Sequence, residues 1–243
     1  MKTIFWALCL TALCGSGMAR AASDKVAIAH KDRELLVVVN LTTHGMDQYK
    51  WLYRFLEVNA VSMAWEKLGL SYDHIYTLKG ADATLAGFSD SLATVAAGET
   101  VKAVDVHINL HGSPKTVWFE EGAYDTAQVA SGLAAHRNLR TKLRALYNTA
   151  CYGESQTADF LAAGFQVVNG SLRVNTNSMY EFPTMMSLWR RGATYSAAQD
   201  KGNNAFWLDL YDGIARDHGF PDSDSYKVVR GDGSLTIDTM KAL

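Results

Sequence analysis

Residues 104–112 have the sequence VDVHINLHG, in which apolar and polar residues alternate before a histidine and a glycine. Residues 143–153, LRALYNTACYG, likewise run through apolar positions into Cys151. Both patterns predict a β-strand. In open parallel sheets, catalytic groups collect beyond the carboxyl ends of the strands. Because neighbouring strands lie about 4.8 Å apart, we expect His111 and Cys151 to face one cleft.

Strands and helices alternate along the rest of the chain. Residues 35–39 (LLVVV) form an uninterrupted apolar run, typical of a parallel strand covered on both faces. Further strands are predicted at 74–78, 101–110, 143–149 and 165–169, and a short strand or hairpin at 116–121. Helices are predicted from 49 to a stop at Gly69, from 85 to a stop at Gly98, from 126 onward and at 155–163. This order predicts right-handed βαβ units in an α/β fold, a three-layer sandwich with a mostly parallel sheet.

The C-terminal part of the chain is predicted to be mainly helical. Pro183 suits the first position of a helix, and a longer helix over 197–218 is interrupted at Gly202. Val228 and Val229, a glycine-rich turn and residues 235–237 then predict a terminal hairpin. No repeat or linker divides the sequence, which predicts a single domain.

Residues 1–21 have the pattern of a cleaved secretory signal peptide. A positive charge near the start precedes an apolar stretch of 11 residues, 4–14, which is shorter than the roughly 20 residues that span a bilayer. Ala19 and Ala21 occupy the two positions that a signal peptidase recognises. We therefore expect a secreted or periplasmic mature chain of residues 22–243, with no membrane contact after cleavage. Intact-mass analysis of exported protein tests this N-terminus.

The cysteine count is the most informative bulk property. The chain has 3 cysteines, and two of them belong to the predicted signal peptide. Cys151 would then be a lone thiol in an exported protein, where cysteines usually pair. A small buried hydrophobe is the alternative interpretation. Its place at the end of a strand favours a reactive thiol.

The two side chains suit nucleophilic catalysis. A thiolate is the nucleophile, and a nearby imidazole takes up its proton or lowers its pKa. Attack on an acyl carbon places negative charge on the carbonyl oxygen, which needs fixed N–H donors. The backbone amides of Gly112 and Cys151 are our candidates for this oxyanion hole.

At these residues the sequence resembles the caspase-like (clan CD) cysteine peptidases, the group of caspases, legumains, clostripains and gingipains. Family members carry a strand that ends in His-Gly and a later strand that ends in Ala-Cys, matched here by His111-Gly112 and Ala150-Cys151. The resemblance extends from about residue 35 to 169. Two features depart from it, the polar alternation of 104–110 and the Asn148-Thr149 pair before the alanine, and they leave the subfamily open.

The resemblance also implies where a substrate residue is recognised. In the family, the loop after the first strand and the segment after the fifth line the specificity pocket. These positions point to Thr43 and Asp47 in one segment and to Ser171 and Arg173 in the other. Asp47 suits a basic substrate residue and Arg173 an acidic one, so both specificities stay open.

Other classes of site have weaker support. His107 and His111 lie about 13 Å apart on a strand, too far to share a zinc ion, so His107 is predicted to be a hydrogen-bonded structural residue and no metal or cofactor is expected. Gly-x-Ser-x-Gly and a phosphate-binding glycine loop are absent from the sequence. Without the two basic residues of the signal peptide, the formal net charge moves from −2 to −4, which gives no reason to expect a nucleic-acid partner.

Three functions are compatible with this pattern. The first is a secreted cysteine endopeptidase that acts on a peptide or protein through a dyad of Cys151 and His111. A catalytically silent caspase-like domain that binds a protein or peptide is the alternative. An acyl-transfer or ligase variant is the third, because an amine also resolves a thioester. Both dyad residues are present, which favours the enzyme. The oligomeric state stays open.

Overall fold

The structure is a computed structural model that describes residues 25–242. The predicted signal peptide, residues 1–21, lies outside the described residues. The strands are β1 (Lys25–Ala27), β2 (Arg33–Asn40), β3 (His74–Lys79), β4 (Ala103–Ser113), β5 (Thr116–Phe119), β6 (Gly122–Asp125), β7 (Leu143–Asn148), β8 (Val167–Ser171), β9 (Lys227–Gly231) and β10 (Thr239–Lys241). The helices are α1 (Lys50–Leu68), α2 (Leu85–Ala96), α3 (Thr126–Ala134), α4 (Arg137–Arg140), α5 (Thr157–Ala163), α6 (Ser178–Arg190), α7 (Tyr195–Gly202) and α8 (Ala205–Asp217).

The main sheet has the strand order β3-β2-β4-β7-β8-β9. Strands β3, β2, β4, β7 and β8 are parallel, and β9 pairs antiparallel with β8. The end of β4 continues into an antiparallel hairpin of β5 and β6. All parallel strands therefore end at one edge of the sheet, where the candidate residues lie.

Helices cover both faces of this sheet. Leu36 and Val38 of β2 pack with α2, α3 and α5 on one face, whereas Leu35, Val37 and Val39 pack with α1, α6 and α7 on the other. The unbroken apolar run of β2 follows from this, since each face of the strand is buried. The predicted three-layer α/β sandwich is confirmed. None of the helices in the described part of the chain is long and apolar enough to span a bilayer.

The polar alternation of β4 has a structural explanation. Its even-numbered apolar residues enter the core on the side of α2, while Asp105, His107 and Asn109 are buried on the opposite face. His107 packs edge-on between the rings of Tyr147 and Phe182, with centroids 5.4 and 5.5 Å away. Its Nδ1 has no hydrogen-bond partner among the described residues, so the prediction of a hydrogen-bonded residue is wrong. Burial lowers the pKa of His107 to about 4, and the ring is neutral.

Two predictions for the C-terminal part are wrong. Pro183 lies inside α6, which begins at Ser178. The proline removes one helical hydrogen bond, and the burial of Phe182, Met186 and neighbouring side chains against the sheet offsets this loss. The terminal hairpin does not form, because Val228 and Val229 extend the ladder of β8. The last strand, β10, pairs instead with β1.

The aromatic residues of α1 lie on two different faces of the helix. Trp51, Phe55 and Trp65 are 71%, 48% and 53% exposed. Tyr53, on another face of the same helix, points at the candidate site. The helix period alone did not separate these two faces, because both carry large apolar side chains.

Candidate active site

His111 and Cys151 lie at the same edge of the sheet, as predicted. The parallel pairing of β4 and β7 ends near Ile108 and Asn148, and the two candidate residues follow it. A methyl group added to Gly112 would lie 2.6 Å from the Cys151 carbonyl oxygen and 2.8 Å from the Ala150 Cβ. A glycine is therefore required for β4 to approach the Cys151 turn this closely.

Cys151 is a half-buried residue whose thiol faces the backbone of the segment after β8. The N–H of Asn175 donates to its Sγ at 3.5 Å. Burial raises the pKa of the Cys151 thiol. The N–H groups of Asn175 and Cys151 and the charge of Lys227 lower it, but burial has the larger effect. The resting residue is thus a neutral thiol at pH 7. Within residues 25–242 no hydrogen bond joins Sγ to His111, so nucleophilic attack by this sulfur would require a base to take the thiol proton.

His111 is held in one tautomer by the loop after β2. Its Nε2 contacts the carbonyl oxygen of Leu41 at 2.6 Å. A carbonyl only accepts, so Nε2 carries the hydrogen and Nδ1 is the unprotonated nitrogen of a neutral ring. Burial lowers the pKa of His111, which keeps Nδ1 available as a base near neutral pH.

Tyr53 forms the wall beside the imidazole. Its ring meets that of His111 edge-on, with centroids 5.0 Å apart. A methyl group on Gly45 would lie 2.2 Å from the Tyr53 ring, so the loop after β2 packs directly on this tyrosine. Burial, and to a lesser extent the charge that Cys151 acquires when it ionises, raise the pKa of Tyr53.

The segment after β8 brackets the Cys151 turn. The backbone carbonyl of Arg173 accepts a hydrogen bond from the Tyr152 N–H at 2.7 Å, and Asn175 Nδ2 donates to the Thr149 carbonyl at 2.8 Å. Ser171 is fully buried, and its hydroxyl, which has a single hydrogen to donate, lies 2.9 Å from the Arg173 carbonyl oxygen and 3.3 Å from the Ala150 carbonyl oxygen. The hydroxyl of Ser171 therefore supports the Cys151 turn and is not accessible to a substrate, contrary to its predicted role.

The other predicted substrate-binding residues are spread over the surface. The Asp47 side chain is 92% exposed and pairs with Lys50 at 2.7 Å. Arg173 is exposed, 3.5 Å from Asp222. The Thr43 hydroxyl donates to Glu120 Oε2 at 2.7 Å. None of the three carries a buried charge or hydroxyl aimed at Cys151, so the structure gives none of them preference as a specificity residue.

Comparison with solved structures supports the architecture around this edge. The Drosophila initiator caspase Dronc superposes with a TM-score of 0.57 at 12% identity, over 97% of this chain and 94% of that one. Caspase-1 from Spodoptera frugiperda gives a TM-score of 0.59 at 8% identity, over 87% and 91% of the two chains. The protein has the caspase fold. No model of a protein family matches the sequence, and no curated protein matches it. At these identities the likeness concerns the fold alone.

His44 borders the site in this caspase fold. Its Nε2 contacts the Phe119 carbonyl at 2.7 Å, and its ring lies 5.3 Å from that of Trp118. A positive charge on His44 lowers the pKa of His111. The loop after β2 and the β5–β6 hairpin are therefore joined across the His111 side of the cleft.

One group of potential metal ligands occurs among the described residues, at the other end of the sheet. Ligand atoms of Glu34, Asp73 and His74 lie within 4.8 Å of one another at the starts of β2 and β3. Glu34 forms a hydrogen bond to His74 Nδ1 and raises its pKa. This ion pair accounts for the group, which lies away from the carboxyl edge and Cys151.

The caspase fold at this edge depends on a contact between two backbones. A methyl group on Gly170 of β8 would lie 2.1 Å from the Gly153 carbonyl carbon and 2.4 Å from its oxygen. Gly170→Ala should lower the free energy of unfolding by about 1–3 kcal/mol, because no flexible side chain can yield. Gly132→Ala, in α3 with no atom within 4 Å, should instead add up to about 1 kcal/mol. Urea unfolding of both variants measures this contrast, and equal stabilities would contradict it.

Proposed function

We propose that this chain is a secreted cysteine endopeptidase in which Cys151 is the nucleophile and His111 the base. The observation that carries the proposal is the site's geometry. Cys151, partly accessible at the carboxyl edge of a caspase-like sheet, shares that edge with a neutral imidazole whose Nδ1 is unprotonated. Neither the export of the chain nor its catalysis follows from the fold, and the signal-peptide pattern supports the former.

The proposed reaction has two steps. In acylation, the Cys151 sulfur bonds to the carbonyl carbon of the substrate, and its proton passes to His111 Nδ1. The peptide C–N bond then breaks, and the imidazolium protonates the leaving amine. In deacylation, water bonds to the thioester carbonyl carbon and gives a proton to His111 Nδ1. The C–S bond then breaks, the acid leaves, and the imidazolium returns the proton to the Cys151 sulfur.

The oxyanion hole stays assigned to the Gly112 and Cys151 amides. Both lie where the two strand ends meet, with no side chain on Gly112 to block a substrate carbonyl. A preference for basic residues through Asp47 remains the weaker part of the proposal, since its carboxylate is bound to Lys50 at the surface.

A silent binding domain is the second candidate. The observation that favours it is the neutral resting thiol, since burial raises the pKa of Cys151 and no hydrogen bond joins it to His111 among the described residues. Unliganded peptidases often hold their dyads loosely, so reactivity has to decide.

Active-site-directed probes test the proposal. A panel of peptidyl acyloxymethyl ketones, differing in the residue before the warhead, should modify Cys151 with a clear preference for one residue type. Mass spectrometry of the digested protein locates the adduct, and Asp47→Ala should reduce any preference for Arg or Lys. Folded protein that reacts with none of the panel would contradict the peptidase proposal, and a preference for Asp or Asn would contradict the role of Asp47.

A further inference from the structure

One peptide group lies between His111 and a carboxylate. The Leu41 carbonyl accepts from His111 Nε2 at 2.6 Å, and the Thr42 N–H, part of the same peptide, donates to Glu57 Oε1 at 2.7 Å. Glu57 Oε1 also accepts from the Leu41 N–H at 2.5 Å. The carboxylate and the imidazole are therefore joined through the two ends of a single amide.

Glu57 is built into this turn rather than placed beside it. Its second oxygen, Oε2, accepts from the Thr42 hydroxyl at 2.9 Å. Glu57 lies in the middle of α1, one helical turn after Tyr53, whose ring contacts His111. In the described residues no lysine, arginine or histidine forms a salt bridge with Glu57. Three donors of the turn thus hold a carboxylate whose charge is not paired.

A carboxylate in this position alters the imidazole through the amide. Hydrogen bonds in series polarise one another, so a negative charge on the N–H side makes the Leu41 carbonyl a stronger acceptor. A stronger acceptor favours the tautomer with hydrogen on Nε2, and it stabilises the imidazolium that forms when Nδ1 takes a proton. The charge of Glu57 also raises the pKa of His111, against the stronger effect of burial.

We propose that Glu57 is a positioning residue that acts on His111 through the Leu41–Thr42 peptide, in the role that an aspartate has in a catalytic triad. The proposal rests on the proposed function of His111 as the base. Glu57 itself contacts neither the thiol nor a substrate in this geometry.

Two charged groups affect the titration of the imidazole: His44 from the loop after β2 lowers its pKa, and Glu57 from α1 raises it. Tyr53 from α1 packs its ring against that of His111. Glu120 from the β5–β6 hairpin accepts hydrogen bonds from Asn40 and Thr43, and Cys151 is the remaining titratable group at this edge. Glu57 is the one joined to the ring through a hydrogen-bonded peptide. Its substitution should therefore change the tautomer as well as the charge equilibrium.

Glu57→Gln tests the proposal with little change of shape. NMR of the imidazole nitrogens should show the Nε2–H tautomer of His111 losing population, and the pKa of His111 should fall. With a peptide substrate, kcat should drop on the order of 10-fold while KM changes less than about twofold. The matched control is Glu66→Gln, the same charge change at an exposed site of α1, which should leave the tautomer, the pKa of His111, kcat and KM as they are.

The outcomes separate this proposal from the proposed function. A folded Glu57→Gln with unchanged tautomer and unchanged kcat would overturn the role of Glu57, whether or not His111→Ala is inactive. A changed tautomer in a protein that cleaves no peptide would support the link between Glu57 and His111 and count against the peptidase alone. If Glu57→Gln does not fold, Glu57→Asp keeps the charge at a greater distance and should shift the same signals partway; unshifted signals would overturn the proposal.

Discussion

Cys151→Ala should abolish peptide cleavage and alkylation by iodoacetamide, and His111→Ala should lower both by orders of magnitude while the protein stays folded. In the proposed mechanism the two side chains act as a unit, so removing either should lose most of the rate. The fold should survive, because both residues lie at the sheet edge rather than in its core. Stopped incubations with iodoacetamide, followed by intact mass, measure the thiol, and circular dichroism measures the fold.

The pH dependence gives the same prediction a second readout. Burial lowers the pKa of His111 below its ordinary 6.5. Wild-type reactivity should therefore persist as the pH falls through 6.5, and it should be lost when the pH falls below the lowered pKa, where Nδ1 is protonated. In His111→Ala the thiol has no base, and burial raises its pKa, so alkylation should become appreciable at alkaline pH alone. His136→Ala, at an exposed histidine, is the control. A folded wild-type protein with an inert Cys151 would favour the silent binding domain.

The sequence predicts that His111 and Cys151 lie at the same edge of the sheet, but it does not predict which residues hold them in place. His111 and Cys151 each follow a strand that the sequence predicts, and the strands of a parallel sheet end at one edge. Tyr53, Glu57 and Asn175 reach the site from other segments. Nothing in the helical period of α1 shows that one of its faces meets a loop of a neighbouring strand.

The wrong prediction of a terminal hairpin has the same cause, a partner from a distant part of the sequence. Residues 227–231 were predicted to fold back on their own neighbours, but β8 offered them a ladder of five residue pairs. The pairing of β10 with β1 joins the two ends of the described chain. Local patterns predict elements well and partners poorly, because strand pairing depends on which edges are left free.

The polar residues of β4, a departure from the family pattern, lead to the largest expected effect on stability. Asp105 and Arg144 form a salt bridge with side chains 2% and 0% exposed. Arg144 Nε donates to Asp105 Oδ1 at 2.9 Å, and the Ala145 N–H donates to the same oxygen at 3.0 Å. The Tyr72 hydroxyl completes the group. The sequence showed a charged residue in a buried strand, and its partner lies on the neighbouring strand β7.

Asp105→Asn should lower the free energy of unfolding by about 3–5 kcal/mol, because it leaves the Arg144 guanidinium buried without a counter-charge. Burial alone would raise the pKa of Asp105, but the charge and hydrogen bonds of Arg144 outweigh it and lower this pKa below its ordinary 3.8. The stabilisation by the ionised Asp105 carboxylate is therefore complete above pH 3.8 and is lost as the pH falls through the lower pKa of the folded protein. Asp105→Asn should flatten this dependence of stability on acid pH.

Urea unfolding between neutral and acid pH measures both effects. Asp47→Asn, which breaks an exposed pair with Lys50, should leave stability unchanged, and Arg144→Met added to Asp105→Asn should recover part of the loss. If the single variant is as stable as the wild type, the ion pair does not hold β4 to β7.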